Sequence, residues 1–153
     1  MPLSASVLWL LTRMQAGTRR MRRHAFLELV MPSQVLASED KDALAERLVE
    51  FFGHDLAEQP PIVNQQIAAM RAYDATSRLA TLADVPTLVV SAEHDKVAPP
   101  RLGQALAHGI PGARYVEVAG AAHGVTIHDA EQVNSLLLTH FASVDSRVEA
   151  ILS

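Results

Sequence analysis

Apolar positions in the first half of the chain recur at helical spacing, and in the second half short unbroken apolar runs replace them. Up to about Leu82 the pattern predicts helices only. Ser4 or Ser6 can cap a helix carrying Val7, Leu10, Leu11 and Met14, which Gly17-Thr18 interrupts. Thr18 can cap a second, with Met21, Ala25, Phe26 and Leu29 to one side, that must stop near Pro32. Ser38 opens a third, where Leu44, Leu48 and Phe51 recur and Gly53 fits the C-terminal stop. Pro60-Pro61 starts a fourth, bearing Ile62, Ile67 and Met70.

After this the period changes. Thr87-Leu-Val-Val-Ser91 is a short apolar run of strand-favouring residues, and both of its faces read as buried, the signature of a parallel interior strand. Pro99-Pro100 opens a helix with Leu102, Ala105 and Leu106, closed by Gly109 and Pro111. Arg114 to Val118 is the next strand. Asp129 and Gln132 then form an acidic variant of the capping box before a last helix with Val133, Leu136, Leu137 and Phe141. Strand, helix, strand, helix is a βαβα unit of an α/β fold. Its crossover is right-handed and its strands parallel, so the loops after both strands leave the same sheet edge.

That edge carries the chemistry. Asp95 follows the first strand by a few residues and His123 the second, 28 residues apart, which is what one helix and one strand consume. A carboxylate placed there can hold one imidazole nitrogen, fix the tautomer and stabilise the imidazolium formed when the histidine takes a proton. Gly120, Ala121, Ala122 and Gly124 leave room for a substrate beside the ring. The third part of such a machine is a serine on a strand-to-helix turn, written G-x-S-x-G, and none of the seven glycines stands in that frame with a serine.

Together the helical first part, the strand Val85-Pro-Thr-Leu-Val-Val90, the acid turn with Asp95 and Pro99, and the pair His123-Gly124 resemble the α/β-hydrolase fold proteins of the lid-bearing, esterase-like kind. The resemblance implies a partial α/β-hydrolase fold. Residues 1–80 would be a helical lid and 81–153 the C-terminal βαβα portion of the core, with most of the sheet, the nucleophile elbow and the oxyanion-hole amides absent. In that family the order is Ser, Asp or Glu, His, so Asp95 and His123 match the second and third members. Where the family usually has glycine three residues before the acid, this chain has Ala92. The activity implied is serine hydrolysis of a small, largely apolar ester, lactone or related carbonyl compound, and no cofactor is implied.

Composition narrows the alternatives. The chain has 153 residues, 49% of them hydrophobic, enough for about one domain. A net charge of -4 gives no global attraction to nucleic acid or anionic membrane. The absence of cysteine excludes disulfides and thiolate chemistry and fits a cytoplasmic setting. Val7 to Leu11 is far short of the about 20 apolar residues of a membrane span, and no signal-peptide pattern surrounds it. The histidines at 24, 54, 108, 128 and 140 lack metal-ligand spacing and read as surface or partly packed. Glu93 and His94 compete with Asp95 and His123 for the acid and base roles, but neighbours in one turn point in different directions, and both read as surface residues. Arg19-Arg-Met-Arg-Arg23 reads as a solvated helix face, and Gly103 and Gly109 form no phosphate loop. Trp9, Met14, Met21 and Met70 fit either a pocket beneath a lid or ordinary lid packing.

Without a nucleophile the isolated chain is expected to be inactive, and two parallel strands with unpaired edges call for an N-terminal complementing fragment, self-association or a longer parent polypeptide. The favoured reading is the C-terminal part of a longer hydrolase. A non-catalytic interaction module, or one chain of a split hydrolase whose partner carries G-x-S-x-G, are the alternatives.

Overall fold

The computed structural model describes residues 5–58 and 60–152. Five helices come first: α1 (Ala5–Gln15), α2 (Arg19–Val30), α3 (Ser33–Ser38), α4 (Lys41–Phe52) and α5 (Ile62–Ala72), followed by a 3₁₀ helix at Thr76–Leu82. Then come β1 (Leu88–Ala92), α6 (Pro100–Gly109), β2 (Arg114–Val118), the short α7 (Val125–His128) and the long α8 (Ala130–Leu152). This is the run of helices followed by a βαβα unit that the patterning predicts. The Ser4 cap and the side chains of Ser6 and Val7 lie outside the described residues.

The Thr18 cap forms, its hydroxyl accepting from the Met21 N–H at 3.3 Å, and α2 ends at Val30 before Pro32. Leu27 of α2 is fully buried with Ala25, while Met21, expected on the buried side, is 47% exposed. The reason is that α2 is central: it packs against α1, α3 and α4 and therefore buries more than one stripe. Leu10, Met14, Leu44, Ala45, Leu48 and Leu56 complete this core. Phe26 meets Phe52 edge to face, with ring centroids 5.3 Å apart.

Ser38 does not open the third predicted helix. It ends the extra helix α3, and Asp40 caps α4 instead, its carboxylate accepting from the N–H groups of Asp42 and Ala43, both at 2.9 Å. A carboxylate accepts two amides at once, which a serine hydroxyl does less well. Gly53 stops α4 at φ 69°, a left-handed conformation that glycine enters at little cost.

The basic run on α2 is only partly a solvated face. Arg19 and Arg20 are open to solvent, whereas Arg23 is largely covered and, with Arg19, grips the buried carboxylate of Asp55 in the segment after α4. Arg20 and His24 both reach Asp42.

Strands β1 and β2 pair in parallel, with Leu88 opposite Arg114 and Ala92 opposite Val118. Helix α6 packs on both strands. A second, smaller core joins Ala92, Val118 and Ala121 to Val90, Val125 and Leu136 of α8. The strands are less buried than their composition suggests: three of the five β1 residues and one of the five β2 residues are buried. Leu138 and Phe141 of α8 are 70% and 56% exposed, and Ile62 and Met70 of α5 are 50% and 75% exposed. Among the described residues the sheet has two strands, so each strand has one edge without a partner.

Candidate active site

The site grows from the two strand ends. Three residues beyond β1, Asp95 forms an Asx turn: its Oδ1 accepts from the N–H groups of Val97 and Ala98, both at 2.8 Å, and its own N–H donates to the Ala92 carbonyl at 3.1 Å. Pro99 and Pro100 then start α6 and carry the chain away. Ala92 in the place of the usual glycine costs the turn nothing, since no described non-glycine residue has a positive φ and the methyl group is buried in the small core.

Five residues beyond β2, His123 turns its ring back onto this carboxylate. Its Nδ1 lies 2.9 Å from Asp95 Oδ2 and 3.1 Å from Oδ1. An ionised carboxylate only accepts, so Nδ1 carries the proton and donates, leaving the Nε2 lone pair on the far side of the ring. Asp95 is nearly covered and His123 is 39% exposed, so the acid is enclosed and the ring is reachable.

The electrostatics agree with this geometry. The hydrogen bond to Asp95 raises the His123 pKa above its ordinary value, and the coulombic attraction adds to this, against an opposing contribution from burial. Burial by itself would raise the Asp95 pKa, but the His123 hydrogen bond, the Ala98 and Val97 amides and the His123 charge outweigh it, so the carboxyl lies below its usual range.

The loop carrying His123 is fastened at alternate amides. The Gly120 N–H donates to Glu93 Oε2 at 2.7 Å, the Ala122 N–H to His128 Nε2 at 3.2 Å and the Gly124 N–H to the Val30 carbonyl at 2.7 Å. The Ala121 carbonyl accepts from the His94 N–H at 2.8 Å. Gly124 has to be small, because a Cβ there would stand 2.7 Å from the Val30 carbonyl oxygen. The sequence predicts a surface residue at Glu93 and a surface or partly packed one at His128, and nothing in their spacing signals these bonds. Their partners are backbone amides, which sequence does not display.

An open cavity of about 430 Å³ lies between the α2–α3 connection and the acid turn, where Glu28, Met31, His94, Asp95 and Ala122 form part of its wall. Among the described residues no three His, Asp or Glu side chains gather as a metal site, and no helix is long and apolar enough to cross a membrane. Of the residues considered for a pocket, Met14 is part of the α1–α2 core, while Trp9, Met21 and Met70 are exposed.

Known proteins resemble this chain in sequence and fold. The family described as TAP-like protein matches residues 50–146. A RutD protein of Azorhizobium caulinodans, named for carbamate hydrolysis, is 36% identical over 80 residues, which are 52% of this chain and 30% of the relative. The pimeloyl-[acyl-carrier protein] methyl ester esterase of Neisseria meningitidis is 32% identical over 113 residues, 72% of this chain and 41% of the esterase. Among solved structures, the Rv0554 protein of Mycobacterium tuberculosis superposes with a TM-score of 0.72 at 22% identity, covering 91% of this chain and 52% of that one. The chain thus spans less than half the length of these curated relatives and about half of the structural neighbour.

Proposed function

Since the chain belongs to the α/β-hydrolase family and represents part of its fold, we propose that Asp95 and His123 are the acid and the histidine of a Ser-His-Asp hydrolase whose serine lies outside this sequence. The observation that carries this reading is the pairing of His123 Nδ1 with Asp95 at 2.9 Å above two parallel strand ends. In the complete enzyme His123 Nε2 takes the proton of the serine hydroxyl as that oxygen attacks an acyl carbonyl. The imidazolium then returns the proton to the leaving group. In the second half of the reaction His123 takes a proton from water as the water oxygen attacks the acyl carbon, and the imidazolium then gives that proton to the serine oxygen as the acyl–serine bond breaks, releasing a carboxylic acid and restoring the serine hydroxyl. Asp95 stays ionised throughout and holds the ring.

The substrate proposed is a small, largely apolar ester, lactone or related carbonyl compound, and the relative named for cleaving a methyl ester supports ester chemistry. The helices from α1 to α5 act as the lid, and the βαβα portion from residue 81 as the C-terminal part of the core. Its unpaired strand edges and the exposed apolar residues of α8 and α5 are the surfaces where the remainder of the sheet, supplied by a longer polypeptide or a complementing chain, would seat. The chain by itself has no triad nucleophile and is inactive on esters; neither nucleic acid nor a membrane is its partner, and its setting is the cytoplasm.

A fluorophosphonate that labels activated serines tests this. The isolated chain is expected to remain unlabelled. The chain joined to a segment that carries G-x-S-x-G and the rest of the sheet is expected to label, and to lose labelling when His123 becomes alanine. Stoichiometric labelling of a serine in the isolated chain, or labelling of the completed enzyme that ignores His123→Ala, would overturn the proposal.

A further inference from the structure

We propose that Glu93 and His128 are positioning residues that clamp the His123 loop from its two sides, through the Gly120 and Ala122 amides, and so hold the ring against Asp95. The inference rests on the catalytic reading of His123 and adds to it two side chains outside the triad.

Asp95 is rigid because its own turn satisfies it: two amides donate to Oδ1, and the turn closes on Ala92. His123 has no such local support. Beyond Val118 the chain leaves β2, turns through Gly120 at φ 70° and reaches His123 before α7 begins at Val125. Residues between two elements keep their geometry only where their amides find partners.

The partners alternate. Glu93 is two residues before Asp95 on the acid turn, and its Oε2 takes the Gly120 amide at 2.7 Å. The neighbouring backbone continues the strand pairing, with Glu93 N–H donating to Val118 and His94 N–H to Ala121. One short segment therefore holds both the acid and the near end of the histidine loop. His128, at the end of α7, takes the Ala122 amide on its Nε2 at 3.2 Å, so the residue directly before His123 is held from the other side. An Nε2 that accepts carries no proton, which puts the His128 proton on Nδ1, 3.7 Å from Asp129 Oδ2. The His128 side chain is only 7% exposed, so water is a poor substitute for it. A shift of about 1 Å in the ring would stretch its 2.9 Å bond to Asp95 out of hydrogen-bonding range.

The test follows the His123 ring by NMR in the full chain labelled with ¹⁵N-histidine, the resonances being assigned by their loss in His123→Gln. The wild type is expected to show a low-field, slowly exchanging Nδ1 proton from His123. In Glu93→Ala and in His128→Phe that signal is expected to disappear, and the ring should titrate at the midpoint found in Asp95→Asn. Glu93→Gln and His128→Gln keep an acceptor for the same amides and should retain both properties. An unchanged signal and midpoint in Glu93→Ala, or in a His128→Phe chain whose helical circular dichroism is native, overturns the clamp. Should His128→Phe fail to fold, the Glu93→Ala and Glu93→Gln pair decides alone. The readout involves no serine and no turnover. A clamp that stands while the completed enzyme ignores His123→Ala would refute the catalytic reading and leave the clamp intact.

Discussion

Replacing Asp55 by alanine should be among the most damaging single changes in the helical part. Its carboxylate side chain is 6% exposed and receives Arg23 Nη2 at 2.5 Å and Nε at 2.9 Å, Arg19 Nε at 2.7 Å and the Ala57 N–H at 2.8 Å. It ties α2 to the segment that follows α4. Removing it leaves Arg23, itself only 17% exposed, without its main counter-charge, and the Ala57 amide without an acceptor. Breaking a buried pair from one side costs about 3 to 5 kcal/mol, and the lower end applies because Arg19 is 67% exposed and can hydrate. A loss of about 3 kcal/mol corresponds to a urea midpoint roughly 1 to 3 M lower. Arg19→Ala, which removes the solvated partner, should cost under about 1 kcal/mol. The Arg23 hydrogen bonds, with the Ala57 amide and Arg19 assisting against burial, hold the Asp55 pKa well below the ordinary carboxylate value. A depressed folded pKa contributes stability above the unfolded pKa that is lost as the pH falls, so the gap between wild type and Asp55→Asn should shrink below about pH 4. Urea unfolding followed by circular dichroism at several pH values measures both effects. An Asp55→Ala midpoint within experimental scatter of the wild type, or a gap that widens in acid, would refute the reasoning.

Three further outcomes are expected. Asp95→Asn should lower the His123 titration midpoint seen by NMR, because the bond that raises it is weakened; the wild-type pair should contribute most between the ordinary pKa values of Asp and His, fading in acid as Asp95 protonates and in base as His123 loses its proton. An unmoved midpoint would show that the contact does not persist in solution. Gly124→Ala places a methyl group against the Val30 carbonyl and should cost about 1 to 3 kcal/mol in chemical denaturation, whereas an unchanged midpoint would mean that the loop does not press on α2 there. The isolated chain should self-associate at micromolar concentration, and Leu138→Lys with Phe141→Lys should shift it toward monomer in light scattering; a wild-type monomer with a sharp thermal transition would contradict the assignment of those faces as unfinished.

Local rules made much of this fold readable. The change from helical spacing to short apolar runs marks where β1 and β2 stand, Thr18 and Gly53 mark helix ends, and two residues beyond parallel strand ends had to share one edge. Hence the pairing of Asp95 with His123 is legible in the sequence. What escaped depends on contacts between distant segments. Leu27 is buried because α2 has neighbours on several sides, which one helix's pattern cannot tell. Arg23 is covered because Asp55, 32 residues away in sequence, comes to it. Helices α3 and α7 are too short for periodicity to register. Glu93 and His128 bind amides, and any residue offers an amide.

The proposed role of His123 as the proton carrier of a serine hydrolase completed from outside this sequence is decided by p-nitrophenyl ester hydrolysis. The assay compares the completed enzyme with its His123→Ala variant at equal, folded concentrations. A fall in kcat of at least about 10³-fold is expected, with KM changed little; losses of about 10⁶ are known where a triad histidine is removed. A variant that turns over within tenfold of the parent would contradict that role.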